Sequence, residues 1–210
     1  MTNKKILVLA PHTDDGELGA GGYIYQSIKN GADILYVAFS DCKNSLSAVG
    51  DENILKKECY KSTKILGINK TQVLNFDVRV FMDKRQQILD KLIELKKEFK
   101  PNEVLTPSRF DIHQDHQTIT NEAIRAFKMC SILGYELPWN CLQSDFNYFV
   151  KLSKKSVDIK LKALGMYKSQ NNRGYFKNDY FLNHLKFRGG LINVKYAEAF
   201  EIIRKIKRFG

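Results

Sequence analysis

The chain has 210 residues, 43% of them hydrophobic and 27% charged, a balance that excludes a disordered polymer and fits an ordinary globular fold. No stretch approaches the roughly 20 apolar residues that a membrane span requires, and the N-terminal apolar run, Ile6–Ala10, is too short for a signal peptide. A cytoplasmic protein without membrane association is therefore expected. The four cysteines (Cys42, Cys59, Cys130, Cys141) form no CxxC pair, which argues for reduced, mostly buried thiols rather than a zinc ribbon or redox motif. The net charge of +11 is uneven: residues 1–105 carry 16 basic against 14 acidic side chains, and residues 106–210 carry 18 against 9. The basic excess is scattered over positions such as Lys151, Lys154, Lys160 and Lys205, with no arginine-rich block or RNA-binding signature. That pattern reads as solvated surface or attraction of anionic substrates, and a nucleic-acid partner is not expected.

In chain order, Ile6–Ala10 is a continuous apolar run ending at Pro11, as in a parallel strand buried on both faces. A helix is predicted from Glu17 to Lys29, stopped by Gly31, then a second buried strand over Ile34–Phe39. A helix from about Glu52 to Leu66, closed by Gly67, leads to a third strand at Gln72–Phe76. Ile88, Leu92, Leu95 and Phe99 share one face of an amphipathic helix spanning Arg85 to Phe99. Glu103–Thr106 is a short strand before Pro107, and Thr118 to Met129 is helical in pattern. This βα alternation predicts a single α/β domain, Rossmann-like, with a mostly parallel sheet and helices on both faces. Beyond Cys130 the alternation weakens: Asn147–Val150 reads as a strand, while Val157–Tyr167 and Ala197–Lys207 look helical.

Ligands of open α/β sheets sit beyond the carboxyl ends of the strands. Two such ends are crowded with polar side chains: His12-Thr13-Asp14-Asp15 after the first strand, and His113-Gln114-Asp115-His116 after the fourth. They hold three of the chain's four histidines. A catalytic zinc takes three nitrogen or oxygen ligands and leaves a position for water, and His12, Asp15 and His116 can supply such a set. Adjacent side chains in a turn diverge, so Asp14 can face the water as general base while Asp15 binds the metal. His113 is then free to stabilise the oxyanion of a tetrahedral intermediate or to protonate the leaving amine, with Asp115 holding an imidazole in one tautomer. Together these residues point to metal-assisted hydrolysis of an acyl bond.

Pro11-His12-Thr13-Asp14-Asp15-Gly16-Glu17-Leu18-Gly19 and His113-Gln114-Asp115-His116 also resemble, in order, the signatures of the LmbE-like (PIG-L type) zinc-dependent de-N-acetylases. Residues 1–130 carry the resemblance, and Lys195–Phe200 is similar to the family's C-terminal segment. It implies His12, Asp15 and His116 as zinc ligands, Asp14 as base, and His113 as the group acting on the intermediate, tuned by Asp115. It further implies N-acetylated amino sugars or their conjugates as substrates, and a homo-oligomer. Thr13 and Gln114 stand where the family often has proline.

Further substrate contacts are expected from Arg79, which follows the third strand and resembles a substrate-facing family position. His184 and Arg188, before the Gly189-Gly190 pair, would meet an anionic aglycone at the pocket edge. Arg109 is read as pairing with Asp111. Gly19, Gly21 and Gly22 lack dinucleotide-fingerprint spacing, so no nucleotide cofactor is expected. The competing readings are a magnesium-dependent phosphoester hydrolase, disfavoured by the histidines, and a basic nucleic-acid-binding domain.

Overall fold

The first strand sets the architecture. In β1 (Lys5–Ala10), Ile6, Val8 and Ala10 join one apolar layer, and Leu7 and Leu9 join the other. A strand apolar on both sides is stable only inside a sheet covered on both faces. The computed structural model, which describes residues 4–43, 51–143, 145–177 and 179–207, has that arrangement. β1 pairs in parallel with β2 (Asp33–Ala38) and with β4 (Glu103–Pro107), in registers such as Val8 opposite Tyr36 and Leu105. The other strands are β3 (Lys70–Val73), β5 (Ser131–Tyr135), β6 (Tyr148–Lys151) and β7 (Ala197–Arg204). Their order is β3-β2-β1-β4-β5-β7-β6, parallel through β5, with β7 antiparallel to both neighbours.

Helices α1 (Asp15–Lys29), α2 (Ile54–Leu66) and α5 (Lys154–Leu164) pack on one face through Leu18, Ala20, Leu55, Cys59 and Ala163. On the other face lie α3 (Arg85–Phe99) and α4 (Gln114–Ala126), through Ile88, Leu92, Ile119 and Ala123. No helix among the described residues is long and apolar enough to cross a membrane. The strand order reverses between β1 and β4, so the crevice beyond their carboxyl ends is the natural ligand position.

The predicted α/β alternation holds through α4, with element ends shifted by a few residues, as at β3 and at the start of α4. The C-terminal third differs. Ala197–Lys207 is not helical: residues 197–204 form β7, wedged between β5 and β6. Its glutamates and alanines give a helical composition, but a strand paired on both edges satisfies its backbone and places Glu198 and Glu201 inside. Each buried carboxylate has partners. Glu198 accepts from Lys160 Nζ (2.7 Å) and from the Gly22 and Tyr23 amides of α1 (2.9 and 2.7 Å). Glu201 accepts from the Ser108 hydroxyl and the Arg109 amide (2.8 Å each) and pairs with the Arg109 guanidinium. Arg109 is thus a structural residue, as expected, but its partner is Glu201 and not Asp111. Two elements absent from the sequence reading are β5 and helix α6 (Tyr180–Gly190), which ends on the Gly189-Gly190 pair.

The start of α1 lies unusually close to the sheet. A Cβ on Gly19 would stand 2.3 Å from the Tyr135 ring, and one on Gly16 2.6 Å from the Tyr36 ring. Only glycine permits that approach, which brings the first turn of α1 beside the end of β1.

Candidate active site

Pro11 ends β1, and the next four residues turn into α1. Buried hydroxyls fix this turn: Tyr36 and Tyr167 both donate to the Thr13 carbonyl (3.1 and 2.7 Å) and to the Glu17 carboxylate, which lies wholly inside the protein. Burial pushes the Glu17 pKa up to about 7 against the pull of those two hydroxyls. Asp14 precedes the helix, where an aspartate commonly caps the first turn, yet its side chain makes no capping hydrogen bond. Instead it lines a cavity of about 260 Å³ shared with His12, Asp15, His113 and His116.

From the far side, His113 caps α4, its Nδ1 accepting the Asp115 amide proton (3.2 Å), and one turn brings His116 inward. The two strand ends converge. His12 Nδ1 lies 3.1 Å from Asp15 Oδ2 and 3.1 Å from His116 Nε2, which is itself 3.3 Å from Asp15 Oδ2. The outward nitrogens are held by carboxylates: His12 Nε2 by Asp115 Oδ2 (3.1 Å) and His116 Nδ1 by Asp111 Oδ2 (2.7 Å). This imidazole-to-carboxylate backing fixes the ring and the tautomer that faces inward.

The electrostatics describe a site that gathers positive charge. Burial opposes a proton on His116, but the charge of Asp15 and the hydrogen bond and charge of Asp111 outweigh it and raise the pKa to about 10. His12 is raised in the same way, against its burial, by Asp15 and Asp115. Asp15 is held well below the usual carboxylate range, in spite of burial, by His116 and His12. Asp14 goes the other way: burial and the charge of Asp15 push it up to about 6, against His12 and Arg173. His113 is pushed down to about 4 by burial and by the charges of His116 and His12. It is therefore neutral at pH 7, and because Nδ1 accepts a backbone N–H, the ring proton sits on Nε2. Such a cluster can hold a metal ion. His12, His113 and His116 offer ligand atoms within 4.8 Å of one another, and the set of His12, Asp15 and His116 is tighter still.

The profile described as PIG-L, GlcNAc-PI de-N-acetylase, matches residues 7–127, more than half of the chain. The chain belongs to this family. A curated relative, the diacetylchitobiose deacetylase of Thermococcus kodakarensis, is 24% identical over 95% of this chain and 83% of that protein. Among solved structures, the N,N'-diacetylchitobiose deacetylase of Pyrococcus horikoshii shares 24% identity with a TM-score of 0.79, covering 96% of this chain and 84% of that one. The 4-carboxy-2-hydroxymuconate hydratase GalB of Pseudomonas putida shares 20% identity with the same TM-score of 0.79, over 99% of this chain and all of that one. Structures at this identity share the fold, and one fold hosts different reactions.

The other expected residues fall into two groups. Arg79 lines the cavity, at φ +71, with its amide donating to Asp115 Oδ2 (2.7 Å). His184 and Arg188 do not line it: both bind Glu136, His184 Nε2 at 3.0 Å and Arg188 Nε at 2.9 Å. A buried carboxylate between β5 and α6 draws them away from the pocket edge predicted for them. The Asp115 carboxylate is hydrogen-bonded to His12, whereas His113 receives its backbone amide and feels the carboxylate only through its charge. Sequence reading missed the role of Asp111, two residues before the histidine motif, and the wall formed by Trp139, Gln170, Arg173 and Tyr175. Asp111 had a local signal, since it opens the same loop. The wall residues had none.

Proposed function

We propose that the chain is a zinc-dependent hydrolase that removes the N-acetyl group from an N-acetylated amino sugar or its conjugate, with His12, Asp15 and His116 as the metal ligands. The observation that carries this reading is the donor triangle. Ligand atoms bonded to one tetrahedral zinc at about 2.0–2.1 Å stand about 3.3–3.4 Å apart. The three donors stand 3.1, 3.1 and 3.3 Å apart, within a few tenths of an ångström of that spacing. Two imidazole nitrogens in that set suit zinc and are unlike the all-oxygen shell of magnesium, which speaks against the phosphoester reading.

When bound, zinc polarises the acyl carbonyl and lowers the pKa of a water ligand toward ~7. Asp14, beside Asp15 and free of any capping bond, takes the proton from the attacking water and returns it to the leaving amine. The Nε2–H of neutral His113 donates to the oxygen that gains charge as water adds to the amide. Asp111 and Asp115 hold the two ligand imidazoles in register, and Arg79 faces the substrate. The products are acetate and a free amine.

The test is acetate release by the zinc-loaded protein from N-acetylglucosamine, its glycosides and N,N'-diacetylchitobiose, compared with chelator-treated protein. Release that requires the metal is expected, and D14N should retain zinc yet turn over about 10²–10⁴-fold more slowly. A fully zinc-loaded protein that releases acetate from none of them would overturn the assignment.

A further inference from the structure

Behind the cavity lies a polar cluster that the chemistry above does not use. Glu17, Tyr36 and Tyr167 come from α1, β2 and the turn after α5, and all three are fully buried. None of them lines the cavity, so none touches a substrate there. Their polar atoms converge on one peptide. The Tyr167 hydroxyl lies 2.7 Å from the Thr13 carbonyl and 2.8 Å from Glu17 Oε1. The Tyr36 hydroxyl bridges the same carbonyl (3.1 Å) and Glu17 Oε2. Glu17 thus keeps one phenol on each of its oxygens, and both phenols meet the carbonyl of the peptide unit that leads into Asp14.

The consequence falls on the Asp14 side chain. A residue that caps a helix ordinarily has an extended backbone, from which its side chain folds back onto the N–H groups two or three positions on. Asp14 instead has φ −106 and ψ −11, close to helical values, while its carbonyl accepts the first bond of α1 from the Leu18 amide (3.0 Å). That bond anchors the helix on one side of Asp14, and the two hydroxyls hold the Thr13–Asp14 peptide on the other. Between these two restraints the backbone has no freedom to reach the extended cap geometry, and the carboxylate stays in the cavity. Gly16 makes room for the arrangement, since a Cβ there would stand 2.9 Å from the Tyr36 hydroxyl.

We propose that Glu17, Tyr36 and Tyr167 are positioning residues for Asp14: by holding the Thr13 carbonyl they keep Asp14 from capping α1 and direct its carboxylate into the cavity. This proposal rests on the reading of Asp14 as the base of a deacetylase.

Y36F and Y167F each remove one oxygen and keep the ring, and together they release the carbonyl. The substrate is an N-acetylglucosamine glycoside or N,N'-diacetylchitobiose, whichever the wild type turns over faster. Y167F should lower kcat about ten-fold and Y36F/Y167F about a hundred-fold, since a misplacement of about 1 Å can cost 10²-fold. KM should stay within about two-fold and zinc content should not change. In the D14N background the same substitutions should cost nothing further, because the group they position has gone. A crystal structure of Y36F/Y167F gives a readout without turnover: the Asp14 carboxylate is expected to have turned onto the Gly16 or Glu17 amide. Should the double variant fail to fold, Y167F is read in the same ways. An equal fall in the D14N background, a loss of zinc, or an unmoved Asp14 carboxylate would overturn the positioning role while leaving deacetylation intact. Absence of acetate release from the zinc-loaded wild type, together with a turned Asp14 in the variant, would overturn the deacetylase reading and leave the positioning standing.

Discussion

Two clusters in this molecule join histidine to buried carboxylate, and they are built to opposite ends. At the tips of β1 and β4, His12, His113 and His116 meet Asp14, Asp15, Asp111 and Asp115, with no lysine or arginine salt bridge to these carboxylates among the described residues. Between β5 and α6, the single carboxylate of Glu136 is closed by the Arg188 fork and by His184. The second cluster is electrostatically complete. The first is not: against the effect of burial, its carboxylates raise the pKa of His12 and of His116, so the cluster favours added positive charge. A histidine near a carboxylate thus says little by itself. What separates a site from a brace is whether the protein supplies its own counter-charge.

The largest expected effect breaks the first cluster. H116A removes one corner of the donor triangle, so bound metal measured by atomic absorption should fall to background. Acetate release should drop at least about a thousand-fold, given that the metal contributes several kcal/mol at ~1.4 kcal/mol per decade. A variant that keeps stoichiometric metal would remove His116 from the ligand set.

Breaking the second cluster should affect stability and leave the metal alone. E136A strips the carboxylate from a guanidinium that is only 6% exposed and should cost about 3–5 kcal/mol. In a chain of this length that lowers Tm by about 6–20 °C, read by calorimetric melting, with metal content unchanged. The pH dependence has a definite sign. Burial works to raise the Glu136 pKa, but the hydrogen bonds from His184 and Arg188 outweigh it and hold it below its ordinary 4.5. Its contribution is therefore fully present above that ordinary value and is lost as pH falls through the lowered one. The Tm gap between wild type and E136Q should stay constant near neutrality and close under acid; a gap that widens below pH 4.5 would contradict the pairing.

The smallest effect sharpens the comparison within the first cluster. D111N and D115N leave the donor triangle in place but weaken the backing of one imidazole each, and each should lower metal affinity about 10–100-fold in a chelator competition. If D115N affected only His113 chemistry and not metal affinity, its assignment to His12 would be wrong.

The chain's local pattern was enough to locate the site on the fold. Apolar runs ending at proline, followed by His12–Asp15 and His113–His116, identify two strand ends and the residues they carry. Parallel β-α units are recognisable because strand and helix each leave a periodic trace in their own short stretch of chain. The same periodicity misled at Ala197–Lys207, where alanine and glutamate suit a helix and only insertion between β5 and β6, with Lys160 and Arg109 meeting the buried carboxylates, makes a strand.

What the order of residues alone determined was the alternating α/β plan and the donor types at each strand end, since both are written within a few positions of each other. Only the tertiary structure decided that β1 and β4 lie side by side, bringing donors about a hundred residues apart to within 3.1–3.3 Å. It alone assigned Asp115 to His12, Asp111 to His116, and Glu136 to His184 and Arg188. Coulomb attraction and hydrogen bonding act over a few ångströms in space with no regard for separation along the chain, so the choice among equivalent partners is made only once the sheet has formed.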